Sequence, residues 1–210
     1  MENPIDQKST NLVAEKRRET LIKYLKSMDM YNSGFRKIID FLFDNTDYFY
    51  CPSSTKWHAA YPGGGFDHAL NVTMCLVELT QKGVCSEWQR PVSPYLVGLL
   101  HDVTKCGAYI MKQEMNPNTN EIETWYEYNP EHTKDSEIHG EDSLIKIMKY
   151  LHLTDEEQAC IRWHMGAYEG KESWSDFDAA IKEFPNVLLT HTADMYASKV
   201  LEHRKEGADA

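Results

Sequence analysis

The sequence lacks the features typical of membrane and secreted proteins. Its 210 residues contain no run of about 18 apolar residues, the length that a transmembrane helix needs. The N-terminal stretch MENPIDQKSTNLVAEKRRE has no apolar signal core. The five cysteines are odd in number, and none of them form a CxxC motif. We therefore expect reduced thiols, a cytoplasmic location and no membrane partner.

Positive charge is also scarce. The chain has 22 Lys and Arg against 33 Asp and Glu, which gives a formal net charge of −11 with the nine histidines neutral. This balance disfavours long nucleic acids as partners, because their phosphate backbones would be repelled. A small anionic substrate stays compatible with it, because a bound metal or a local group of cations can reverse the sign inside a pocket.

Helical periodicity dominates most of the chain. About six segments have apolar residues at the i, i+3, i+4 and i+7 positions of a helix. The segment 107–128 differs, because Tyr, Ile, Thr and Trp flank the turn-rich NPNTNE, a pattern typical of a β-hairpin. We predict an all-α fold with a small inserted hairpin. Residues 1–14 are expected to be disordered or flexible, and residues 15–205 to form a single domain.

Polar side chains with metal-binding chemistry interrupt the apolar faces of these helices. Asp194 lies mid-way along the last predicted helix on an inward stripe, where an unpaired carboxylate is costly to bury. A metal is the economical source of compensating charge, because four His and two Asp of a helical bundle can surround one or two divalent ions. The six candidates are His68, His101, Asp102, His139, His164 and Asp194.

Each candidate alone has a simpler explanation. An inward histidine such as His68 is more often a hydrogen-bonded core residue than a ligand. A His-Asp dipeptide such as His101-Asp102 occurs by chance in many proteins, and Asp194 can cap a neighbouring helix. The metal hypothesis depends on all six lying on or beside helices in one order.

Five short motifs resemble a known family. In order, GGGFDHALNV, LLHDVTK, HGEDS, RWHMG and LLTHTADMYASK look like the successive motifs of HD-domain metal-dependent phosphohydrolases, over about residues 60–204. Lys105 follows the His-Asp dipeptide as in the family's commonest form, with Thr104 in place of a glycine. The last two motifs are also weakly similar to the HD part of bacterial 3′–5′ exoribonucleases, although nothing before residue 60 is typical of an OB-fold.

The resemblance implies an HD-domain helical bundle with two metal ions in one site, a dinuclear centre. It makes His68, His101, Asp102 and Asp194 the ligands of one ion. His139 and His164 would complete a second site that Asp102 bridges. The ions implied are Mn, Fe, Mg, Ni or Zn. The activity implied is hydrolysis of a phosphate mono- or diester by a metal-activated water.

Further residues are expected to act on a small phosphorylated substrate, such as a nucleotide. Asp102 and Lys105 are the expected catalytic residues, and Lys105 would also contact phosphate; its alternative is an ordinary exposed lysine. His191 and Tyr168 are expected to bind substrate, although a packed polar residue is an equally good explanation of His191. The segment 57–61, which contains His58, is predicted to form a lid.

Three histidines are assigned to the surface: His132, His152 and His203. Three alternative functions stay open. Relatives with a similar ligand set and a di-iron centre carry out O₂-dependent oxidation, the weaker similarity implies a short-RNA exonuclease, and a non-catalytic module would keep the metal for stability alone. The sequence leaves the oligomeric state open, and it leaves open whether the hairpin shapes the pocket or a subunit contact.

Overall fold

The computed structural model describes residues 4–30 and 32–202. In this part the chain is 57% helix, with eight helices and a small two-stranded antiparallel sheet, which confirms a mostly helical fold with a hairpin. The helices and strands are α1 (Pro4–Ser27), α2 (Ser33–Asn45), α3 (Gly64–Gln81), α4 (Ser93–Leu100), β1 (Tyr109–Met115), β2 (Ile122–Tyr128), α5 (His139–Met148), α6 (Asp155–Arg162), α7 (Trp174–Glu183) and α8 (Asn186–Tyr196).

The N-terminal helix is longer than predicted. Disorder was expected for residues 1–14, but α1 begins at Pro4, and proline suits a first helical turn. From Ala14 onward one side of α1 is buried, including Leu21 and Leu25, and this side joins the main core. Residues 1–3 lie outside the described residues, as do His203 and the end of the predicted 15–205 domain.

Helix α3 lies at the centre of the fold. It packs against α4 and α8, while α6 packs against α4, α5 and α8. The buried apolar side chains of these helices form one cluster that includes Val72, Leu76, Leu96, Ile161 and Val187. This arrangement brings the ends of α4 and α6, the start of α5 and the middle of α8 close to one another.

The predicted hairpin is present. Strands β1 and β2 pair in antiparallel register from Tyr109↔Tyr128 at the base to Met115↔Ile122 at the tip. Tyr126 is the one fully buried residue of the two strands, so the hairpin extends away from the core. Its base, with Tyr109 and Tyr128, lies at the wall of the main cavity.

The last helix changes its winding. After Tyr196, α8 continues as a π-helical turn over Ala197–Leu201. A π turn contains an additional residue and shifts the face on which later side chains lie, and such turns are frequent at functional sites. Glu202 follows this turn directly and is buried.

Candidate metal centre

All six predicted ligands converge at one end of a cavity of about 490 Å³. His68 lies in α3, and His101 and Asp102 follow α4 directly. His139 is the first residue of α5, and Asp194 lies in α8. The sixth residue, His164, comes just after α6. Residues that are up to 126 positions apart in sequence, the interval between His68 and Asp194, therefore meet in one place.

Two close helix contacts bring these side chains together. A Cβ atom on Gly98 would lie 2.5 Å from the Cα atom of Thr73, so glycine allows α4 to approach α3. A Cβ atom on Gly140 would lie 2.1 Å from the backbone oxygen of Arg162, so glycine also allows α5 to approach the end of α6. Each glycine is within three residues of a predicted ligand. The two glycines therefore allow the helices beside the ligands to come close enough for the ligands to meet.

The carboxylate of Asp102 lies between two sets of imidazoles. Its Oδ2 atom is 3.6 Å from Nε2 of His68 and 3.4 Å from Nε2 of His101. Its Oδ1 atom is 2.8 Å from Nε2 of His139 and 3.4 Å from Nε2 of His164. One oxygen thus faces each set, as expected of a carboxylate that bridges two ions.

Asp194 completes the first set. Its Oδ1 atom is 3.1 Å from Nε2 of His68, and a carboxylate oxygen also lies within 4.8 Å of ligand atoms of His101 and His164. We call His68, His101 and Asp194 the His68 side of the centre, and His139 and His164 the His139 side. Asp102 is shared by the two sides.

Three of the imidazoles have an unsatisfied nitrogen. The Nε2 atoms of His68, His101 and His164 are buried and form no hydrogen bond, despite the nearby carboxylates. Buried polar atoms without a partner are rare in folded proteins. A divalent ion among these nitrogens and carboxylates would satisfy all of them, so the donor set fits a metal.

The other nitrogen of each ring is held in place. Nδ1 of His101 lies 2.9 Å from the backbone oxygen of Gly98, and Nδ1 of His164 lies 2.7 Å from that of Ile161. A carbonyl oxygen only accepts, so Nδ1 is the donor in both rings. The neutral form of each ring therefore has its lone pair on Nε2, directed at the centre, as in histidines that bind metals.

Electrostatics keep the carboxylates charged. Burial raises the pKa of Asp102, but Lys105 and His101 outweigh burial and hold that pKa well below its ordinary value. Burial also opposes charge on Asp194, whose pKa is lowered by contact with His68. Burial opposes protonation of His68 in turn, yet Asp194 and Glu202 raise the pKa of His68 to about 9. The site therefore attracts positive charge, which protons or metal ions can supply.

Lys105 lies beside the shared carboxylate. It is partly buried on the cavity wall, with Nζ 2.6 Å from Oδ2 of Asp102 and 3.4 Å from Oγ of Ser53. The neighbouring Thr104 is buried and donates through its hydroxyl to Asp142 of α5. This bond ties the turn after α4 to α5 and helps to fix the position of Lys105.

The two predicted substrate-binding residues have different positions. Tyr168 lies on the cavity wall and is exposed. His191 is not part of that wall in the described structure. Its Nδ1 lies 2.8 Å from the backbone oxygen of His164, so it supports the loop that carries a predicted ligand. A role of His191 in substrate binding stays a prediction.

Several residues of the site were missed or misassigned. Of the predicted lid, His58 reaches the cavity wall, whereas Trp57 and Tyr61 do not line the cavity and are exposed. His132 was assigned to the surface, but it lines the cavity and its Nε2 is buried, because the chain after β2 folds back toward Gly107. His152 is exposed as predicted.

Three further charged residues lie at or beside the site, and the sequence analysis did not identify them: two lysines and one glutamate. Lys134 and Lys199 also line the cavity, and neither forms an ion pair with another described residue. Glu202 is buried 2.9 Å from Nδ1 of His68. A signal for Glu202 was present, since it lies four residues after Ser198 on the stripe of Asp194, but its place also depends on the π turn.

A second group of ligand-type side chains lies near the site. Asp47, Cys51 and Cys106 have potential ligand atoms within 4.8 Å of one another. The hydrogen bond with Cys106 and burial raise the pKa of the Cys51 thiol well above its ordinary value, which disfavours the thiolate that binds metal. All five cysteines are unpaired, as predicted.

Comparisons of this chain with models of protein families, with curated proteins and with solved structures found no match. Within residues 4–30 and 32–202, none of the helices has the length and apolar character needed to cross a membrane.

Proposed function

We propose that this chain is an HD-type metal-dependent phosphohydrolase with a dinuclear centre. The observation that carries the proposal is the position of Asp102, whose two carboxylate oxygens face two separate pairs of histidines. Histidines that serve only to pack a core need no carboxylate between them. Two metal ions that share a bridging carboxylate need one oxygen directed at each ion and its histidines. The buried, unpartnered Nε2 atoms of three of these histidines support the same conclusion.

When bound, two divalent ions would supply Lewis acidity and a low pKa for coordinated water. The residues that would hold them are those of the His68 side and the His139 side, with Asp102 between. The chain itself contributes rings that are fixed by hydrogen bonds from Nδ1, and a cavity with a buried end, which favours strong electrostatic interactions. Lys105, which forms an ion pair with Asp102, would bind a phosphoryl oxygen of the substrate.

The cavity favours an anionic substrate of limited size. Its wall carries three lysines, Lys105, Lys134 and Lys199, against the two carboxylates of the metal centre, in a chain with a net charge of −11. Bound divalent ions would offset those carboxylates and leave the lysines to attract an anion. Tyr109, Tyr128 and Tyr168 line it as well, and their rings offer flat apolar surface. The substrate we propose is a nucleotide or another small phosphorylated molecule, cleaved at a phosphate mono- or diester. The unpaired cysteines agree with a cytoplasmic location.

The experiment is a screen for phosphoester hydrolysis by metal-stripped protein, read as released phosphate, p-nitrophenol or nucleotides according to the substrate. Mn²⁺, Fe²⁺, Mg²⁺, Ni²⁺ and Zn²⁺ are each added back, and nucleoside mono-, di- and triphosphates, short oligoribonucleotides and bis(p-nitrophenyl) phosphate are supplied. We expect turnover with at least one ion and none with the stripped protein. Uptake of O₂ by the iron-loaded protein without hydrolysis of any phosphoester would favour the di-iron oxidation alternative. Metal binding without either activity would favour the non-catalytic module.

A further inference from the structure

A buried carboxylate links the proposed metal centre to a histidine outside it. Glu202 is 4% exposed, and three side chains donate to it. Nδ1 of His58 lies 2.8 Å from Oε2, while Nδ1 of His68 and Nδ2 of Asn71 lie 2.9 Å and 3.1 Å from Oε1. A buried anion with three good donors is well satisfied and rigid. Glu202 therefore fixes two imidazoles at once.

His58 is the one of these two rings that reaches open space. It lines the cavity together with Asp102 and Asp194, and its ring centroid is 5.0 Å from that of His68. Since Nδ1 donates to Glu202, Nε2 is its remaining polar atom, and no described residue forms a hydrogen bond with that Nε2. The nitrogen is available to a ligand in the cavity.

The loop that carries His58 is held by its own hydrogen bonds. The hydroxyl of Ser54 donates to the backbone oxygen of His58 at 2.8 Å and accepts from the backbone nitrogen of Trp57 at 2.9 Å. The backbone nitrogen of Ser53 donates to Ala59 at 3.0 Å. The ring is thus positioned from both its backbone and its Nδ1, which is the support that a precise substrate contact requires.

We propose that His58 is a substrate-contacting residue, whose Nε2 forms a hydrogen bond with an oxygen of the phosphorylated substrate beside the metal centre. Glu202 is the positioning residue that holds His58 toward the substrate and His68 toward the metal. The proposal rests on the proposed function, because it needs a substrate at this centre. His58 would thus be a functional residue that lies outside the six predicted metal ligands and outside the five motifs.

Two substitutions of His58 separate its two nitrogens. In His58→Asn the amide nitrogen stands near the position of Nδ1, so the bond to Glu202 is kept and the cavity-facing atom is lost. In His58→Gln the amide stands near Nε2, so a polar atom in the cavity is kept. The probes are inorganic phosphate and bis(p-nitrophenyl) phosphate, added to the Mn²⁺-loaded full chain, with calorimetry for binding and steady-state kinetics for turnover.

We expect His58→Asn to bind Mn²⁺ within about two-fold of the wild type, and to bind phosphate and ester about ten-fold more weakly, because a hydrogen bond to a charged group is lost. His58→Gln should recover part of that loss. Glu202→Gln should weaken Mn²⁺ binding by about 10- to 100-fold, since a carboxylate that orients a ligand is removed, and should change the EPR spectrum of bound Mn²⁺.

His152→Gln is the matched control, because His152 is exposed and does not line the cavity of the described structure, and it should behave as the wild type. Thermal melting of every variant separates loss of fold from loss of contact. Equal phosphate affinity and KM in a folded His58→Asn and the wild type would overturn the His58 inference alone. A wild-type chain that binds no Mn²⁺ and cleaves no ester would overturn the proposed function itself.

Discussion

The two sides of the candidate centre differ in how firmly the fold holds them. On the His68 side, His68 is 1% exposed within a long helix, and its ring is bonded to the buried Glu202. On the His139 side, His139 is 27% exposed and is the first residue of α5. The first side has Asp194 in addition to the shared Asp102. A position with more carboxylates and more rigid ligands binds an ion more tightly.

This difference indicates an order of binding. The His68 side should fill first and release its ion slowly, and the His139 side should exchange its ion with the solvent. Asp102 belongs to both, so the two affinities should be coupled through one carboxylate. Four tests probe this comparison, from the largest expected effect to the smallest.

Replacement of the shared ligand should remove both sides together. In Asp102→Asn, each ion loses an anionic oxygen, so we expect less than one Mn²⁺ per chain at concentrations that saturate the wild type. The rate of ester cleavage should fall by about a thousand-fold, because the ions contribute several kcal/mol to the barrier. Metal analysis and kinetics are the measurements. Asp178→Asn, on an exposed surface of α7, is the control and should leave both values unchanged.

Replacement of one ligand on each side should distinguish the Mn²⁺ affinities of the two sides. His139→Ala should leave one tightly bound Mn²⁺ per chain, because the His68 side keeps all its ligands. His68→Ala should weaken binding at both sides, since the ring contacts Asp194 and also the shared Asp102. Calorimetric titration with Mn²⁺ distinguishes the two. Identical stoichiometry and affinity in the two variants would mean that the sides are equivalent and that the comparison is wrong.

The two close-approach glycines should act on different sides. Gly140→Ala brings a Cβ atom against Arg162 and should displace α5 with His139, whereas Gly98→Ala brings one against Thr73 and should displace α4 with His101. Each overpacked contact should lower the free energy of unfolding by about 1–3 kcal/mol. We expect Gly140→Ala to weaken mainly the second Mn²⁺ and Gly98→Ala to weaken the first. Denaturant unfolding and metal titration of the same samples give both quantities.

The cavity lysines should have the smallest effect. Lys199→Ala removes an exposed cation from the cavity wall, so we expect KM to rise by about three- to five-fold, because exposed charges contribute about 1 kcal/mol or less. The difference should shrink at high salt. Lys182→Ala, on α7, is the control and should leave KM unchanged. A salt-independent rise would indicate that Lys199 acts through packing.

The sequence predicted those site residues whose direction depends on helical periodicity. An inward His68 or a mid-helix Asp194 is visible because a helical stripe fixes the side to which a residue points. The hairpin was visible from its turn residues. His191, by contrast, shares the stripe of Asp194 but faces the loop after α6, because a stripe does not distinguish the cavity from its supporting wall.

The residues that were missed lie where the chain departs from regular geometry. In a regular helix of 3.6 residues per turn, Glu202 would lie about 80° around the axis from Asp194. The π turn over Ala197–Leu201 takes in an additional residue and reduces this offset, and no sequence pattern announced it. His132, assigned to the surface, and His58, predicted only as part of a lid, lie in irregular segments, and their contacts depend on how distant parts of the chain fold back.

The most direct test of the account is the number of Mn²⁺ ions that the metal-stripped chain binds, measured by calorimetry and elemental analysis on the wild type and on His139→Ala. We predict two ions per wild-type chain with unequal affinities, and one ion, the tighter, in the variant. Binding of no Mn²⁺ by the wild type, or of two with equal affinity in both proteins, would contradict a dinuclear centre built on Asp102.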